Sequence, residues 1–221
     1  MSVLPLRAIL LSIVVINTSF VLQSNELLKK RLVALLAQEF RMETDRLILR
    51  RLSLADRDDI FEYSSDKEVN KHLVAKPYKS KEDAEKFIKS AIQKYQDGLL
   101  SLAMEHKQEK RVVGTIYLPI EYGEKRGELG FILNKKYWGK GLTLEASRRL
   151  LEFGFNDLQL NRIQAMCSSE NKSCQNVLQK LHMLYEGTLR QYRRDFKFPD
   201  IYIDAQVWAL LRSDFLSQKS S

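Results

Sequence analysis

Cysteine and histidine are nearly missing from this chain of 221 residues, which holds only Cys167, Cys174, His72, His106 and His182. Two cysteines cannot make a disulfide framework, and no zinc-ligand spacing joins them to the histidines. A reduced, cytoplasmic setting without a metal is therefore expected. Glycine (nine) and proline (four) are sparse, which argues against collagen-like and low-complexity chains. Long apolar runs are missing too. A membrane-spanning helix needs about 20 apolar residues. The run over residues 8–22 is shorter, is broken by Asn17, Thr18 and Ser19, and leads to no small-x-small cleavage site. Charge of one sign is not gathered anywhere. The 36 basic and 28 acidic residues leave +8, and residues 1–41 hold five of the former and two of the latter. No arm or stripe of a nucleic-acid binder results, and a small polyphosphate partner would account for the excess.

What is present is a globular composition, 44% hydrophobic and 29% charged, long enough for one domain and an appendage. In the appendage, residues 1–41, Leu28, Leu32, Leu35, Leu36 and Phe40 recur near helical spacing around Lys29, Lys30 and Arg31, which predicts an amphipathic helix. Packing against the body is favoured over membrane-surface contact by residues 8–40. A start at Met42 is the remaining alternative, because METDRLILRRL opens a strand directly. The body runs over 42–216, with 217–221 as a tail. Its first strand, 47–52, precedes a helix capped at Ser53 or Asp56 and a short helical piece over 67–73. The next helix is signed at both ends, by the Ser80 to Asp83 capping box and by Gly98. Strands follow within 99–107, 111–122 and 127–133, with hairpin-like links that predict antiparallel pairing. A helix from Gly141 to about Phe155, a strand over 162–168, a helix over 173–181 and strands at 184–193 and 201–210 complete a mixed α/β sheet. Regular βαβ alternation is lacking.

Chemistry concentrates in residues 127–155, GELGFILNKKYWGKGLTLEASRRLLEFGF. A strand ends near Asn134, and a loop with Gly139 and Gly141 leads straight into a helix. Glycines let the backbone approach a ligand closely, and the first N–H groups of a helix lack intrahelical acceptors, so the arrangement suits a pyrophosphate. Lys135, Lys136 and Lys140 add charge. The loop is neither a Walker A nor a dinucleotide fingerprint, and alone it reads more readily as an ordinary glycine-rich turn than as a ligand loop.

Followed by NKSCQNVLQKL from Asn171 and EGTLR from Glu186, this run resembles the GNAT acyl-CoA N-acyltransferase superfamily. The similarity is strongest to its ribosomal-protein N-terminal acetyltransferase (RimJ/RimL-like) branch and spans roughly 42–215. The resemblance implies an α/β (α+β) fold whose mixed, mostly antiparallel central sheet is splayed in the middle and flanked by helices. The gap would open between the strand ending near Leu133 and the strand over 162–167. It also implies acetyl-CoA as co-substrate, no metal, and direct transfer to a primary amine in a ternary complex.

Carried over by position, Phe131, Ile132 and Leu133 offer backbone groups to the pantetheine amides. Trp138, Gly139, Lys140, Gly141, Leu142 and Thr143 wrap the pyrophosphate, and Lys136 stands where the family prefers Gln or Arg. Asn171 reaches toward the pantetheine arm, and Lys180 lies near the nucleotide phosphates. Each has a local alternative: Trp138 a loop plug, Asn171 an N-cap, Lys180 a solvated side chain. Cys174 replaces the family serine, which would make its thiol the proton donor to the departing CoA thiolate or, alternatively, a small packing residue. His182-Met183 replaces Gly-Phe, which puts the turn after that helix in question. Leu178 stands where other branches carry a tyrosine acid. Glu128, at the mouth of the acceptor cleft, reads as the base for the amine or as one half of a cross-strand charge pair. Glu145 reads as packing or as a cap for a neighbouring loop. Tyr117, Glu121, Tyr122 and Tyr185 are secondary candidates for acceptor recognition.

The leading function is thus an N-acetyltransferase acting on a protein N-terminal or small-molecule amine. The alternative is a catalytically weak acyl-CoA-binding sensor or regulator, motivated by Cys174 and His182-Met183. Specific nucleic-acid binding is not expected, and neither the amine nor the oligomeric state is encoded legibly.

Overall fold

Leu32 and Leu36 lie one turn apart on a helix over residues 26–37 (α1), and both are fully buried. In this computed structural model, which describes residues 26–37, 39–73, 76–195, 198 and 200–218, they share one apolar core with Phe40, Leu47, Leu49 and Leu102 of the body. The amphipathic helix packs into the core of the body, and a cut at Met42 would divide this core. The run 8–22, with the anchor and signal readings made of it, lies outside the described residues. A chain starting at Met42 loses three buried apolar side chains, each worth about 1.5–3 kcal/mol. Its melting temperature should drop by about 10 °C or more, and calorimetry of the two lengths checks this.

The strands in chain order are β1 (Arg41–Glu43), β2 (Leu47–Arg51), β3 (Leu100–His106), β4 (Arg111–Leu118), β5 (Ile120–Glu121), β6 (Arg126–Glu128), β7 (Gly130–Leu133), β8 (Arg162–Ser168), β9 (Leu184–Arg194) and β10 (Tyr202–Leu211). They form two five-stranded sheets, ordered β1-β2-β3-β4-β7 and β5-β6-β8-β10-β9. Helices α2 (Arg57–Ser64), α3 (Lys81–Lys94), α4 (Leu142–Glu152), α5 (Lys172–Lys180) and α6 (Arg212–Gln218) flank them. The Asp83 carboxylate accepts from the N–H of Lys79 (2.9 Å) and Ser80 (3.4 Å), and Gly98 takes φ +75°, so both signals around α3 hold.

Two expectations are corrected. Residues 67–72 make hydrogen-bonded turns instead of a helix. The buried Asn70 side chain claims the carbonyls of Ser64 and Asp66, both at 2.8 Å, in competition with a helical ladder. The segment GELGFIL is two strands, because Leu129 donates its N–H to Gln164 O (2.7 Å) and the chain there passes from one sheet to the other. Pairing is mixed and mostly antiparallel, as the resemblance implies: β6 runs parallel to β8 over Arg126–Glu128, while β7 pairs antiparallel with β4. Among the described residues, β8 has no strand partner on its β6 side beyond Gln164. An open wedge consequently separates β7 from the second half of β8, which is the splay the resemblance implies.

Candidate active site

Strand β7 is the edge of its sheet, and its hydrogen bonds to β4 alternate. Asn134 N–H donates to Val113 O at 2.8 Å, so Asn134, Ile132 and Gly130 bond inward. Phe131 and Leu133 turn their N–H and C=O toward the wedge. Such an edge can hold an extended amide-bearing ligand as it would a peptide.

At the end of β7 the chain is fixed by side chains. Asn134 Oδ1 accepts from Lys136 N–H (3.0 Å), and Trp138 Nε1 donates to Leu133 O (2.9 Å), which ties the half-exposed indole over the loop. Gly139 and Gly141 then take φ +73° and +78°, a region that penalises any Cβ. At Gly139 a Cβ would meet nothing within 4 Å, and at Gly141 only the Arg46 guanidinium at 3.6 Å. The glycines thus serve a backbone turn that leaves open space above it. Gly141 is the N-cap of α4, and Arg46 Nη1 donates to Lys140 O (2.9 Å). With that carbonyl drawn away, the Gly141 N–H on the same peptide plane points the opposite way. Arg46 is itself held by Glu145, whose Oε2 takes its Nε at 2.7 Å. Glu145 therefore serves the neighbouring loop, as expected for a cap.

The wedge and loop enclose a cavity of about 580 Å³. Ten of the twelve residues assigned to acetyl-CoA line it, together with Cys174; Lys136 and Lys140 do not. Lys136 is directed to Glu62 (Nζ to Oε1, 2.8 Å), and this bond and one from Asn134 push the Glu62 carboxyl down to about 2. Lys140 stands over the Tyr137 ring at 4.9 Å. Across the cavity, residues 68, 69 and 71–73, within the stretch expected as a short helical piece, form a wall.

Asn171 caps α5, its Oδ1 accepting from Cys174 N–H at 3.0 Å. That satisfies the local reading, and among the described residues its Nδ2 has no partner and remains available to a ligand. Cys174 lies on the cavity wall, half-buried, with its sulfur hydrogen-bonded to the buried Cys167 of β8. The bond to Cys167 and burial push the Cys174 thiol far above its usual range, and the same bond pulls Cys167 down. At the inner end of β7 the Tyr117 ring lies across Gly130, where an added Cβ would fall 2.0 Å from the ring. Glu128 stands just before this point, outside the cavity lining, and its Oε2 accepts from Gln164 Nε2 (3.3 Å).

The family of Acetyltransferase (GNAT) domains matches residues 46–184. The N-acetyltransferase p20 of Bacillus licheniformis is 32% identical over 174 residues, covering 78% of this chain and 96% of its own. The ribosomal-protein-serine acetyltransferase of Escherichia coli is 25% identical over 130 residues, or 59% of this chain and 71% of the relative. The crystal structure of a GNAT-family acetyltransferase from Bacillus anthracis superposes with a TM-score of 0.70 at 27% identity, covering 78% of this chain and 99% of that one. The chain belongs to the GNAT acetyltransferase family.

Within this acetyltransferase the charge-pair reading of Glu128 is not met: among the described residues its partner is the neutral Gln164 amide. Leu178 is buried in the core, and the turn after α5 survives the loss of glycine because His182 itself takes φ +57°. Met183 fills the phenylalanine place as a buried core residue. His182 is exposed, so His182→Gly should raise stability by about 0.5–1 kcal/mol, the left-handed penalty less the extra chain entropy of glycine. A higher urea midpoint at unchanged slope is the expected reading.

Proposed function

We propose that this GNAT protein transfers the acetyl group of acetyl-CoA to a primary amine, a protein N-terminus or a small molecule, by direct attack in a ternary complex. The RimJ/RimL-like branch is supported by the relative named for ribosomal-protein serine. The observation that carries the reading is the continuous polar path from the outward backbone of Phe131 and Leu133 to the left-handed glycine loop at the start of α4.

Bound acetyl-CoA supplies an activated thioester. Phe131 and Leu133 would hold its amides, Trp138 to Thr143 its pyrophosphate through main-chain N–H groups, and Asn171 Nδ2 the arm between. Lys180, on the cavity wall, would neutralise nucleotide phosphate. Glu128, free of any basic partner among the described residues, would take the proton of the attacking amine directly or through water. Cys174 would return a proton to the CoA thiolate only by giving up its bond to Cys167. A binding-only sensor draws on the loss of the family glycine, and His182 supplies that backbone conformation.

The test is calorimetric titration with acetyl-CoA followed by CoA release with N-terminal peptides, polyamines, aminoglycosides and amino acids. Binding followed by release from at least one amine supports the transferase. Binding without release supports the sensor, and no binding overturns both.

A further inference from the structure

Asp59 and Glu62 stand three residues apart on α2 and so share one face of it. Both accept from Arg111 Nη2, Asp59 Oδ1 at 2.7 Å and Glu62 Oε2 at 2.6 Å. Asp59 turns its other oxygen to the Val112 N–H (2.7 Å), which fastens α2 to the start of β4. Glu62 turns its other oxygen to the end of β7. There Oε1 accepts from Asn134 Nδ2 at 3.0 Å and from Lys136 Nζ at 2.8 Å. Two carboxylates on one face thus share an arginine, and of the two Glu62 reaches the loop.

What Glu62 touches there is the residue that shapes the next turn. Asn134 is buried, and the two ends of its amide are not interchangeable, one being a donor and the other an acceptor. With Nδ2 on the carboxylate, Oδ1 is left to accept the Lys136 N–H at 3.0 Å. An inverted amide would set oxygen against oxygen at Glu62 and N–H against N–H at Lys136. In the same turn the Asn134 carbonyl takes the Tyr137 N–H (2.9 Å) and the Lys135 carbonyl takes the Trp138 N–H (3.1 Å). Gly139 and Gly141 follow, so one buried amide orients the turn from which the glycine loop departs. Glu62 itself does not line the cavity.

We propose that Glu62 is a positioning residue for acetyl-CoA, which acts through Asn134 to hold the glycine loop in the conformation that receives the pyrophosphate. A loop fixed before the ligand arrives loses less freedom on binding, and affinity gains by that amount. Glu62 governs the entry of the loop as Arg46, on Lys140 O, governs its exit. The inference rests on the phosphate-loop reading above and adds to it a residue remote from the ligand.

The test is calorimetric titration with acetyl-CoA, and melting, of Glu62→Gln, Asn134→Asp, the double variant and Asp59→Asn. Glu62→Gln removes the charge that fixes the amide and should weaken binding about 10-fold, a partial loss because the N–H groups of the loop remain. Asp59→Asn weakens the same arginine contact, so its melting temperature falls comparably while affinity stays within about twofold of wild type. Asn134→Asp keeps the acceptor for Lys136 N–H but sets a second carboxylate against Glu62, and should also weaken binding. In the double variant amide and carboxylate exchange places and the bond re-forms, so affinity recovers to within about threefold. In turnover, Glu62→Gln should raise KM for acetyl-CoA with little change in kcat. Unchanged affinity in Glu62→Gln, an equal loss in Asp59→Asn, or independent losses in the double variant overturns the positioning role. If Glu62→Gln does not fold, Asn134→Asp against Asn134→Ala decides: equal losses support the role of Glu62, and tighter binding by Asn134→Asp overturns it. A wild-type protein that binds no acetyl-CoA overturns the phosphate-loop reading itself. Binding lost in Gly139→Val but kept in Glu62→Gln overturns the role of Glu62 alone.

Discussion

Gly139→Val should abolish measurable acetyl-CoA binding while leaving a folded protein. The side chain would enter the open space above the loop, and the β-branched residue would resist φ +73°. Two consequences separate cleanly. Backbone strain costs about 1–2 kcal/mol, which lowers the melting temperature by about 2–8 °C. Loss of two or more main-chain bonds to phosphate, each worth about 1.5–3 kcal/mol, weakens binding by about 100-fold or more. Gly141→Val should behave similarly, with added disturbance where Arg46 grips Lys140. Calorimetric titration and melting of the same preparations give both numbers, and unaltered affinity in a folded variant removes the phosphate-loop assignment.

Glu128→Gln should lower kcat by about 100- to 10,000-fold, the range of a positioned general base, with the affinity for acetyl-CoA unchanged. The amide is nearly isosteric and can keep a hydrogen bond to Gln164, so shape is conserved and only the charge is lost. Steady-state kinetics at saturating acetyl-CoA checks the first half and titration the second. A variant with full kcat would mean that the proton leaves by water alone or through another side chain.

The parts of this site that the sequence made legible are those built within a few residues. Gly139, Gly141 and the Asn171 cap act on their own turns, so their spacing carries their geometry. The less legible parts come from distant contacts. Arg46 reaches Lys140, Glu62 reaches Asn134 and Lys136, and Cys167 meets Cys174 only after β8 and α5 have packed. Lys136 was grouped with the proposed phosphate loop because it adjoins that loop in sequence; a glutamate 74 positions away claims it. The break at Leu129 was hidden for a related reason. Leu129 is buried like a strand residue in either sheet, and only the partner strands reveal that the chain changes sheets there. The helix expected over 67–73 failed through Asn70, a buried amide whose preference for backbone carbonyls depends on its enclosure.

The change of sheet at Leu129 also bears on mutational robustness. Glu128 and Phe131 are three residues apart on one extended segment, so about 10 Å of covalent chain separates the carboxylate-bearing residue from the edge assigned to the thioester arm. A substitution that loosens either sheet can alter the width of the wedge, yet it cannot slide these two residues past one another. Their alignment is inherited from the backbone, and it should persist through core drift that would scramble a centre assembled from separate elements.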